Sequence, residues 1–269
     1  MRLVVNADDF GFTRDVNLGI VEAHTRGILT ATTLMANGAA FDDAVQLARQ
    51  HPGLDVGCHL VLVQGPSVAQ RGRDLPSSVP ELLQALTLHK IDAYTELRPQ
   101  IERILNAGLK PLHLDTHKHT HLWPPVLDAV ARLSEQFRIP WVRRPFDLPI
   151  VAGEVPVAKQ LISRAASSLR ERFHRKLIAH GCKTTDHFAG FQITGRYRAA
   201  ELAALIRALP PGITEFMCHP GRCTDELRCA ATRLKESREA ELEALTSCDV
   251  RDALQERGAS TAGYSQLEI

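Results

Sequence analysis

The sequence lacks the features that mark membrane, secreted and nucleic-acid-binding proteins. None of its apolar runs approaches the about 20 residues that a transmembrane helix needs. Its opening, MRLVVNADDF, has no long apolar stretch, and carboxylates appear by position 8, so we expect no secretory signal. The formal net charge of the 269 residues is only +1. A chain without a global basic surface is not expected to bind nucleic acid.

The six cysteines contain no C-x-x-C pair, which argues against a cysteine zinc knuckle. Scattered cysteines without an export signal are typical of free thiols in a reducing compartment, so we expect a cytoplasmic protein. Hydrophobic residues make up 44% of the chain and charged residues 23%. Both values are ordinary for a globular protein that buries a core.

Apolar, β-branched segments alternate with helical periodicity along the chain. Strands are predicted at RLVVNADD, LTATTLMAN, DVGCHLVLV, KPLHLDT, PWVRRPFD, TTDHFAGFQI and GITEFMCHPG. The helices predicted between them include PPVLDAVARLSEQF, with its prolines in the first turn. This alternation predicts an α/β fold with parallel strands, a single (β/α)-barrel-like domain over residues 1–269, complete or partly open. A helical excursion is expected at about residues 150–182.

Polar residues gather where the predicted strands end. Asp8 and Asp9 end the first strand, His59 lies near the end of the third, and His219 ends the last. The segment HLDTHKHTH ends the fourth strand and contains four of the 12 histidines. Because the carboxyl ends of parallel strands surround one mouth, we expect these distant motifs to converge on one site.

The converging residue types suit a divalent metal ion. An Asp-His-His set leaves open positions on zinc, and magnesium, manganese, cobalt or nickel are alternatives. At strand spacing His113, Asp115, His117, His119 and His121 share one face, whereas at helical spacing His117 and His121 do. Asp115 is a suitable acceptor for the second N–H of a metal-bound imidazole. The alternatives are a helix cap at the Asp pair, a core histidine at position 59 and a polar loop with incidental histidines.

A metal ion at this place would support hydrolysis. It would lower the pKa of bound water toward ~7 and polarise a carbonyl. Whichever of Asp8 and Asp9 is free could take the proton of the water, and His219 could protonate the leaving group.

The motifs NADDFG, VNLGIVEAH, GCHLVLVQG, HKHTHLWP and EFMCHPG resemble the YdjC/ChbG carbohydrate deacetylases in colinear order. The resemblance implies a barrel-like fold and metal-dependent removal of an N-acetyl group from an amino sugar. It also implies roles: Asp8 as general base, His219 as general acid, and Asp9, His59 and His117 as metal ligands. Of the three later histidines His117 is chosen because it lies nearest the strand end, which leaves Asp115, His119 and His121 as supporting or substrate-contacting residues.

HKHTHLWP, VRRPFD and TTDHFAGF look most like the hopanoid-associated HpnK branch of the family. This branch implies an N-acetylglucosaminyl hopane, an amino-sugar glycolipid, as substrate. Arg143 and Arg144 are candidate substrate contacts, with a surface ion pair as the alternative. Other readings are a deacetylase of soluble chitooligosaccharides, a two-metal phosphoesterase on the same barrel, and a non-catalytic sugar- or lipid-binding protein.

A basic segment offers a route to a lipid substrate. Val157, Leu161, Ala165, Leu169 and Phe173 recur every four residues, and residues 157–180 contain six basic side chains and one acidic one. A basic amphipathic helix is typical of peripheral contact with an anionic membrane surface. Alternatively, its apolar stripe packs on the barrel and its charges face water.

Overall fold

The computed structural model describes residues 1–148 and 157–267, apart from the side chains of residues 164 and 166. The start of the predicted helical excursion, residues 150–156, lies outside these ranges. The strands are β1 (Arg2–Phe10), β2 (Ala31–Leu34), β3 (Asp55–Leu60), β4 (His113–Thr116), β5 (Trp141–Val142), β6 (His187–Ala189), β7 (Ile213–Cys218) and β8 (Ser260–Thr261).

The helices alternate with the strands as predicted. They are α1 (Arg14–Arg26), α2 (Phe41–Gln50), α3 (Val79–Thr87), α4 (Ala93–Asn106), α5 (Pro124–Phe137), α6 (Val157–Ser167), α7 (Arg170–Ala179), α8 (Ala199–Ala208), α9 (Asp225–Cys229), α10 (Glu236–Thr246) and α11 (Cys248–Arg257). Short 3₁₀ segments cover His117–Leu122 and Tyr264–Gln266.

The strands form one parallel sheet in the order β5-β4-β3-β2-β1-β7-β6, and β8 pairs with the start of β1. The two edge strands face each other across an incomplete seam. Single parallel bridges join Trp141 to Lys183 and Asp147 to Phe188, in place of a continuous ladder. The predicted α/β class is confirmed as an incomplete (β/α) barrel.

Successive side chains of β1 point alternately toward the surrounding helices and toward the inside of the barrel. Leu3, Val5 and Ala7 pack in the large cluster under the helices. The side chain of Val4, which points the other way, belongs to a small apolar cluster with Trp141, Ala262, Tyr264 and Leu267. Asn6 and Asp8 follow Val4 at strand period and are buried, so the inside of the barrel changes from apolar to polar toward its carboxyl end.

The basic segment is not one helix. It divides into α6 and α7 around Ser168, where the hydroxyls of Ser167 and Ser168 donate to the carbonyls of Ser163 and Ala165. Such local side-chain bonds compete with the regular helix. The predicted apolar stripe is also divided: Phe173 is buried on the barrel, whereas Val157, Leu161 and Leu169 on the α6 side are exposed. No described helix is long and apolar enough to cross a membrane.

Candidate metal centre and its charged surroundings

A bulge at the end of β1 brings two consecutive carboxylates to the same site. The pairing of β1 with β2 shifts by one residue between Ala7 and Phe10, and Asp9 has a positive φ of 70°. In a regular strand Asp8 and Asp9 would point to opposite faces. With the extra residue, each has a carboxylate oxygen within 4.8 Å of a ring nitrogen of His59.

His59 is held from behind by Asp115, the next strand's residue in register with it. Its Nδ1 lies 2.7 Å from Asp115 Oδ1, and because a carboxylate only accepts, Nδ1 donates. Thr33 donates to the other oxygen of Asp115 at 3.0 Å. His59 Nε2 is therefore left facing the mouth of the barrel, in the arrangement that metal-bound imidazoles usually have.

Three ligand atoms then face each other: Asp9 Oδ1, His59 Nε2 and His117 Nδ1. The carboxylate oxygen lies 3.4 Å from each nitrogen, and the two nitrogens are 3.1 Å apart. Asp9 Oδ1 is buried and makes no hydrogen bond within the described part of the chain. Ligand atoms about 2.1 Å from one ion would be about 3.0–3.4 Å apart at right or tetrahedral angles. The triangle therefore has the size and donor set of a divalent metal site.

The local charge also favours a cation. Burial alone would lower the pKa of His59, but the carboxylates of Asp115, Asp9 and Asp8 raise it to about 10. Burial would raise the pKa of Asp9, yet the Arg238 charge and the two imidazoles hold it well below its usual range. Asp9 is thus an anion whose free oxygen faces two imidazoles, as a metal ligand must be.

A second group, Asp8, His59 and Asp115, also has ligand atoms close together. It fits a metal ion less well, because Asp8 and Asp115 are already neutralised. Arg143 donates to both oxygens of Asp8 at 2.7 Å, and its Nη1 forms an ion pair with Asp115 Oδ2 at 2.8 Å. Its Nε donates to Glu215 at 2.7 Å.

Arg143 is therefore a buried hub of three carboxylates. Its guanidinium is fully buried, so the surface ion pair considered from the sequence does not describe it, and its role as a substrate contact stays a prediction. Burial raises the pKa of Glu215 to about 6, and the charges of Asp115 and Asp8 add to the rise against the lowering effect of Arg143. Burial would also raise the pKa of Asp8, but its bidentate pairing with Arg143 holds it below its usual value. Arg144 is half-buried and donates to the carbonyl of Asp186, away from this hub.

The 3₁₀ segment His117–Leu122, called the histidine turn below, follows neither the strand nor the helical spacing considered above. Lys118 and His119 have left-handed backbones, with φ of 56° and 51°. His117 consequently faces Asp9, while His121 turns into the core and contacts the Thr116 hydroxyl and the Arg143 carbonyl. Burial lowers the pKa of His121 to about 3, so it is neutral. His119 packs edge-on against Phe188 and Phe191, outside the triangle.

His219 approaches the site from the end of β7. Its Nε2 lies 4.0 Å from Asp8 Oδ2, and its backbone N–H donates to Glu241 at 2.6 Å. The following loop is clamped against α1, because a Cβ on Gly19 would lie 2.3 Å from the Cα of Gly221. Asp15 on the same helix accepts hydrogen bonds from the backbone of Thr224. Helix α1 thus fixes the loop that carries His219.

A sequence profile of the family described as YdjC-like protein matches residues 2–256. The chain belongs to the YdjC-like family.

Relatives of this YdjC-like chain cover its whole length. A carbohydrate deacetylase of Brevibacillus brevis is 33% identical over 99% of this chain and 100% of its own. A chitooligosaccharide deacetylase of Salmonella paratyphi B is 34% identical over 98% of each chain. The predicted family is therefore confirmed, and the predicted enzyme class is the one that these relatives carry. The hopanoid branch stays a prediction.

Solved structures agree on the fold of the YdjC-like chain. An Enterococcus faecalis protein described as a cellobiose-phosphate cleavage protein superposes with a TM-score of 0.75 at 25% identity, covering 100% of this chain and 99% of that one. A lactam utilization protein of Thermus thermophilus has a TM-score of 0.53 at 16% identity, covering 98% of this chain and 100% of that one, and shows the fold alone.

Several charged residues around the YdjC-like site carry no motif in the sequence. Glu215 could have been noticed as an acid within the apolar strand ITEFMC. Arg238 and Glu241 look like ordinary members of a charged helix, yet both are buried, and Arg238 donates to Asp9 Oδ2 at 2.6 Å. Only the packing of α10 against the barrel reveals them.

Proposed function

We propose that this protein is a hydrolase that removes the N-acetyl group of an amino sugar, with one divalent metal ion held by Asp9, His59 and His117. The observation that carries the proposal is the orphaned oxygen Asp9 Oδ1, which faces two imidazole nitrogens at 3.4 Å beside the separate carboxylate of Asp8. The relatives named carbohydrate and chitooligosaccharide deacetylases support it. Zinc is the first expectation for an Asp-His-His set, with magnesium, manganese, cobalt and nickel as alternatives.

A bound divalent ion supplies an acidified water and a polarised acetamide carbonyl. The protein supplies the proton transfers. Asp8 is ionised at neutral pH, so it can accept the proton of the attacking water. Because Arg143 and Asn6 also bond to its oxygens, Asp8 keeps one orientation and gives the proton up readily.

His219 is placed to serve the other side of the reaction. Its ring lies 4.0 Å from Asp8, and its Nδ1 is buried without a partner in the described residues. Burial lowers the pKa of His219, against the opposing charges of Asp8, Asp9 and Glu241. The imidazole is then neutral before substrate binds. Asp8, 4.0 Å away, can pass on the proton that it takes from the water, and negative charge developing at the scissile carbonyl favours the imidazolium so formed. The imidazolium donates this proton to the leaving amine, while the hydroxide of the water stays on the acetyl carbon as acetate.

The test is acetate release from N,N'-diacetylchitobiose by the metal-loaded protein. Asp8→Asn and His219→Ala should each lower kcat by about 10²–10⁴-fold while the bound metal is retained. Asp74→Asn, which changes an exposed carboxylate outside the metal triangle and the Arg143 hub, is the matched control. One metal ion per chain is expected, whereas two ions together with phosphate-ester hydrolysis would favour a phosphoesterase. A metal-loaded protein that releases no acetate from any N-acetyl sugar would leave only a binding function.

We further propose a glycolipid as the substrate, with N-acetylglucosaminyl hopane as the compound that the sequence resemblance implies. An apolar groove of about 610 Å³ lies between α5 and α7, and Leu122, the last residue of the histidine turn, is part of its lining. Its apolar lining includes Leu122, Leu127, Leu169, Phe173 and Ala179. Apolar clefts of this size bury small ligands well, so the groove could take the apolar part of such a substrate.

The groove can be tested through Leu169, which lines it and is exposed at its edge. Leu169→Gln should lower kcat/KM for a lipid-linked N-acetylglucosamine and leave the value for diacetylchitobiose unchanged. Leu88→Gln changes another exposed leucine, which does not line the groove, and should affect neither substrate. Equal activity of the wild type on soluble and lipid-linked substrates, with no effect of Leu169→Gln, would favour the soluble chitooligosaccharides.

The surface beside the groove is suited to peripheral contact with an anionic membrane. Val157, Leu161 and Ile162 on α6 are 71%, 58% and 53% exposed. On α7 the groove is bordered by Arg172, Arg175 and Lys176. Exposed apolar side chains next to basic ones are the combination that interfacial helices use.

Co-sedimentation with vesicles of phosphatidylglycerol and phosphatidylcholine tests this contact. Changing Arg170, Arg172 and Arg175 to Glu should abolish binding. Changing the exposed residues Arg71, Arg98 and Lys110 to Glu alters the net charge equally and should have a much smaller effect. Binding that is the same for both triple variants would contradict a contact through α7.

A further inference from the structure

Helix α10 directs two buried charged side chains into the site. Arg238 and Glu241 are three residues apart, so they share a face of the helix, and each is 1% exposed. Glu241 accepts from the backbone N–H of His219 at 2.6 Å and from that of Gly195 at 2.7 Å. Arg238 donates to Asp9. One helix face therefore supports a metal ligand and the loop of the candidate acid.

Arg238 contacts only one of the two carboxylate oxygens of Asp9. Arg238 Nη2 donates to Oδ2 at 2.6 Å, the length of a strong charge-assisted hydrogen bond. The other oxygen, Oδ1, faces His59 and His117 at 3.4 Å and makes no hydrogen bond within the described chain. A carboxylate can bind a cation with one oxygen or with both. Here only Oδ1 is left for the ion.

Arg238 is itself held in place by the backbone around it. Its Nε donates to the carbonyl of Leu234 at 3.2 Å, and its own carbonyl accepts from the N–H of Gly221 at 3.2 Å. A Cβ on Gly221 would lie 3.1 Å from Arg238 Cδ, so the glycine lets the side chain pass close to the loop. Asp9 is the one carboxylate within ion-pair distance of Arg238 among the described residues.

We propose that Arg238 is a positioning residue that fixes Asp9 as a one-oxygen ligand and thereby strengthens binding of the metal ion. The inference rests on the metal site proposed above and extends it to a residue that no motif marks. Arg238 acts through Asp9.

Two effects of Arg238 on a bound cation oppose each other. Its positive charge repels the ion, which alone would weaken binding. Against this, a carboxylate without Arg238 would be buried with Oδ2 unpaired and free to turn away from the imidazoles, and such a buried unpaired group is costly. Loss of the partner that orients a metal ligand typically costs about 10–100-fold in metal affinity, so orientation is expected to exceed repulsion.

The experiment is a Co²⁺ titration of the metal-free protein in competition with a chromophoric chelator. Arg238→Gln should bind Co²⁺ about 10–100-fold more weakly than the wild type. Arg238→Lys, which keeps the charge but not the planar fork, should recover part of the affinity. Arg98→Gln, which removes the same charge from an exposed arginine outside the site, is the matched control and should leave Co²⁺ affinity unchanged.

The visible absorption of bound Co²⁺ separates positioning from general loss of structure. If Asp9 becomes a two-oxygen ligand in Arg238→Gln, the coordination number rises and the d–d bands become weaker. Thermal unfolding of the metal-free protein reports folding independently.

Equal affinity and an unchanged spectrum in Arg238→Gln would overturn the positioning role and leave the metal site standing. If Arg238→Gln does not fold, Arg238→Lys decides: wild-type affinity and spectrum in that variant overturn the role, and weaker binding with altered bands supports it. A wild type that does not bind Co²⁺ would overturn both proposals.

Discussion

Asp8 and Asp9 follow each other in the chain, and both direct a carboxylate oxygen to within 4.8 Å of a ring nitrogen of His59. The bulge that makes this possible places Asp9 at φ 70°. The two carboxylates then receive different partners: Arg143 takes both oxygens of Asp8, and Arg238 takes one oxygen of Asp9. Different partners allow one carboxylate to serve as a base and the other as a ligand.

The left-handed backbone of Asp9 predicts different outcomes for two substitutions. Asp9→Asn loses the metal affinity and the charge pair with Arg238 but adds no backbone strain, because Asn tolerates positive φ. Asp9→Val adds a β-branched residue at this φ and should cost a further ~1–3 kcal/mol of stability. Urea denaturation of the metal-free proteins measures the difference, and equal stability of the two variants would refute the strained backbone.

The histidine turn predicts that its three histidines are not equivalent. His117→Ala should abolish stoichiometric metal binding, because its Nδ1 completes the triangle. His121→Ala should instead lose about 1–3 kcal/mol of stability, since it leaves buried partners unsatisfied, and should still bind metal. Metal analysis after dialysis, together with thermal unfolding, distinguishes them. His119→Ala serves as the control, with metal retained.

The Arg143 hub predicts a large stability effect. Arg143→Met leaves Asp8, Asp115 and Glu215 buried without their shared cation, so about 3–5 kcal/mol should be lost in urea unfolding. Arg98→Met removes an arginine whose ion pair with Glu102 is exposed, and should cost less than about 1 kcal/mol. Similar losses of stability in the two variants would show that Arg143 does not compensate the buried negative charges of the three carboxylates.

The contact between α1 and the loop after β7 is tested by Gly19→Ala. The added methyl group would overlap the backbone of Gly221, so the variant should lose about 1–3 kcal/mol of stability and lower kcat by displacing His219. In Gly53→Ala the nearest atom to the new Cβ is a His24 ring nitrogen at 3.6 Å, so no penalty is expected. Thermal unfolding and acetate release measure both effects.

Asp147 predicts a pH dependence of stability. Burial raises its pKa to about 7, although the N–H groups of Gln192 and Phe191 donate to it. The folded protein then binds this proton more tightly than the unfolded chain, with its pKa near 3.8. The contribution of Asp147 to the free energy of unfolding is complete below pH 3.8. It is lost as the pH rises to about 7, by at most ~1.4 kcal/mol per pH unit. Asp147→Asn should flatten the free energy of unfolding between pH 4 and 7 relative to the wild type, and a parallel curve would contradict the shift.

Local patterns predicted the elements that depend on local physics. Helix α5 begins and ends as its sequence indicates, at Pro124 and Phe137, because prolines fit the first turn and Arg138 takes a left-handed conformation after the last. The alternation of strands and helices was sufficient for the barrel class. The short strands β5 and β6 were predicted too long, since the sequence does not show that the seam between them is joined by single bridges.

The sequence by itself determined which chemical groups meet at the mouth of the barrel, because strand ends of a parallel sheet converge whatever the details of the side chains. Only the tertiary structure decided their directions. The left-handed residues of the histidine turn and the bulge at Asp9 break the regular period from which direction is inferred. Arg143 lies 135 residues from Asp8 and Arg238 lies 229 residues from Asp9, so only packing brings these charges together.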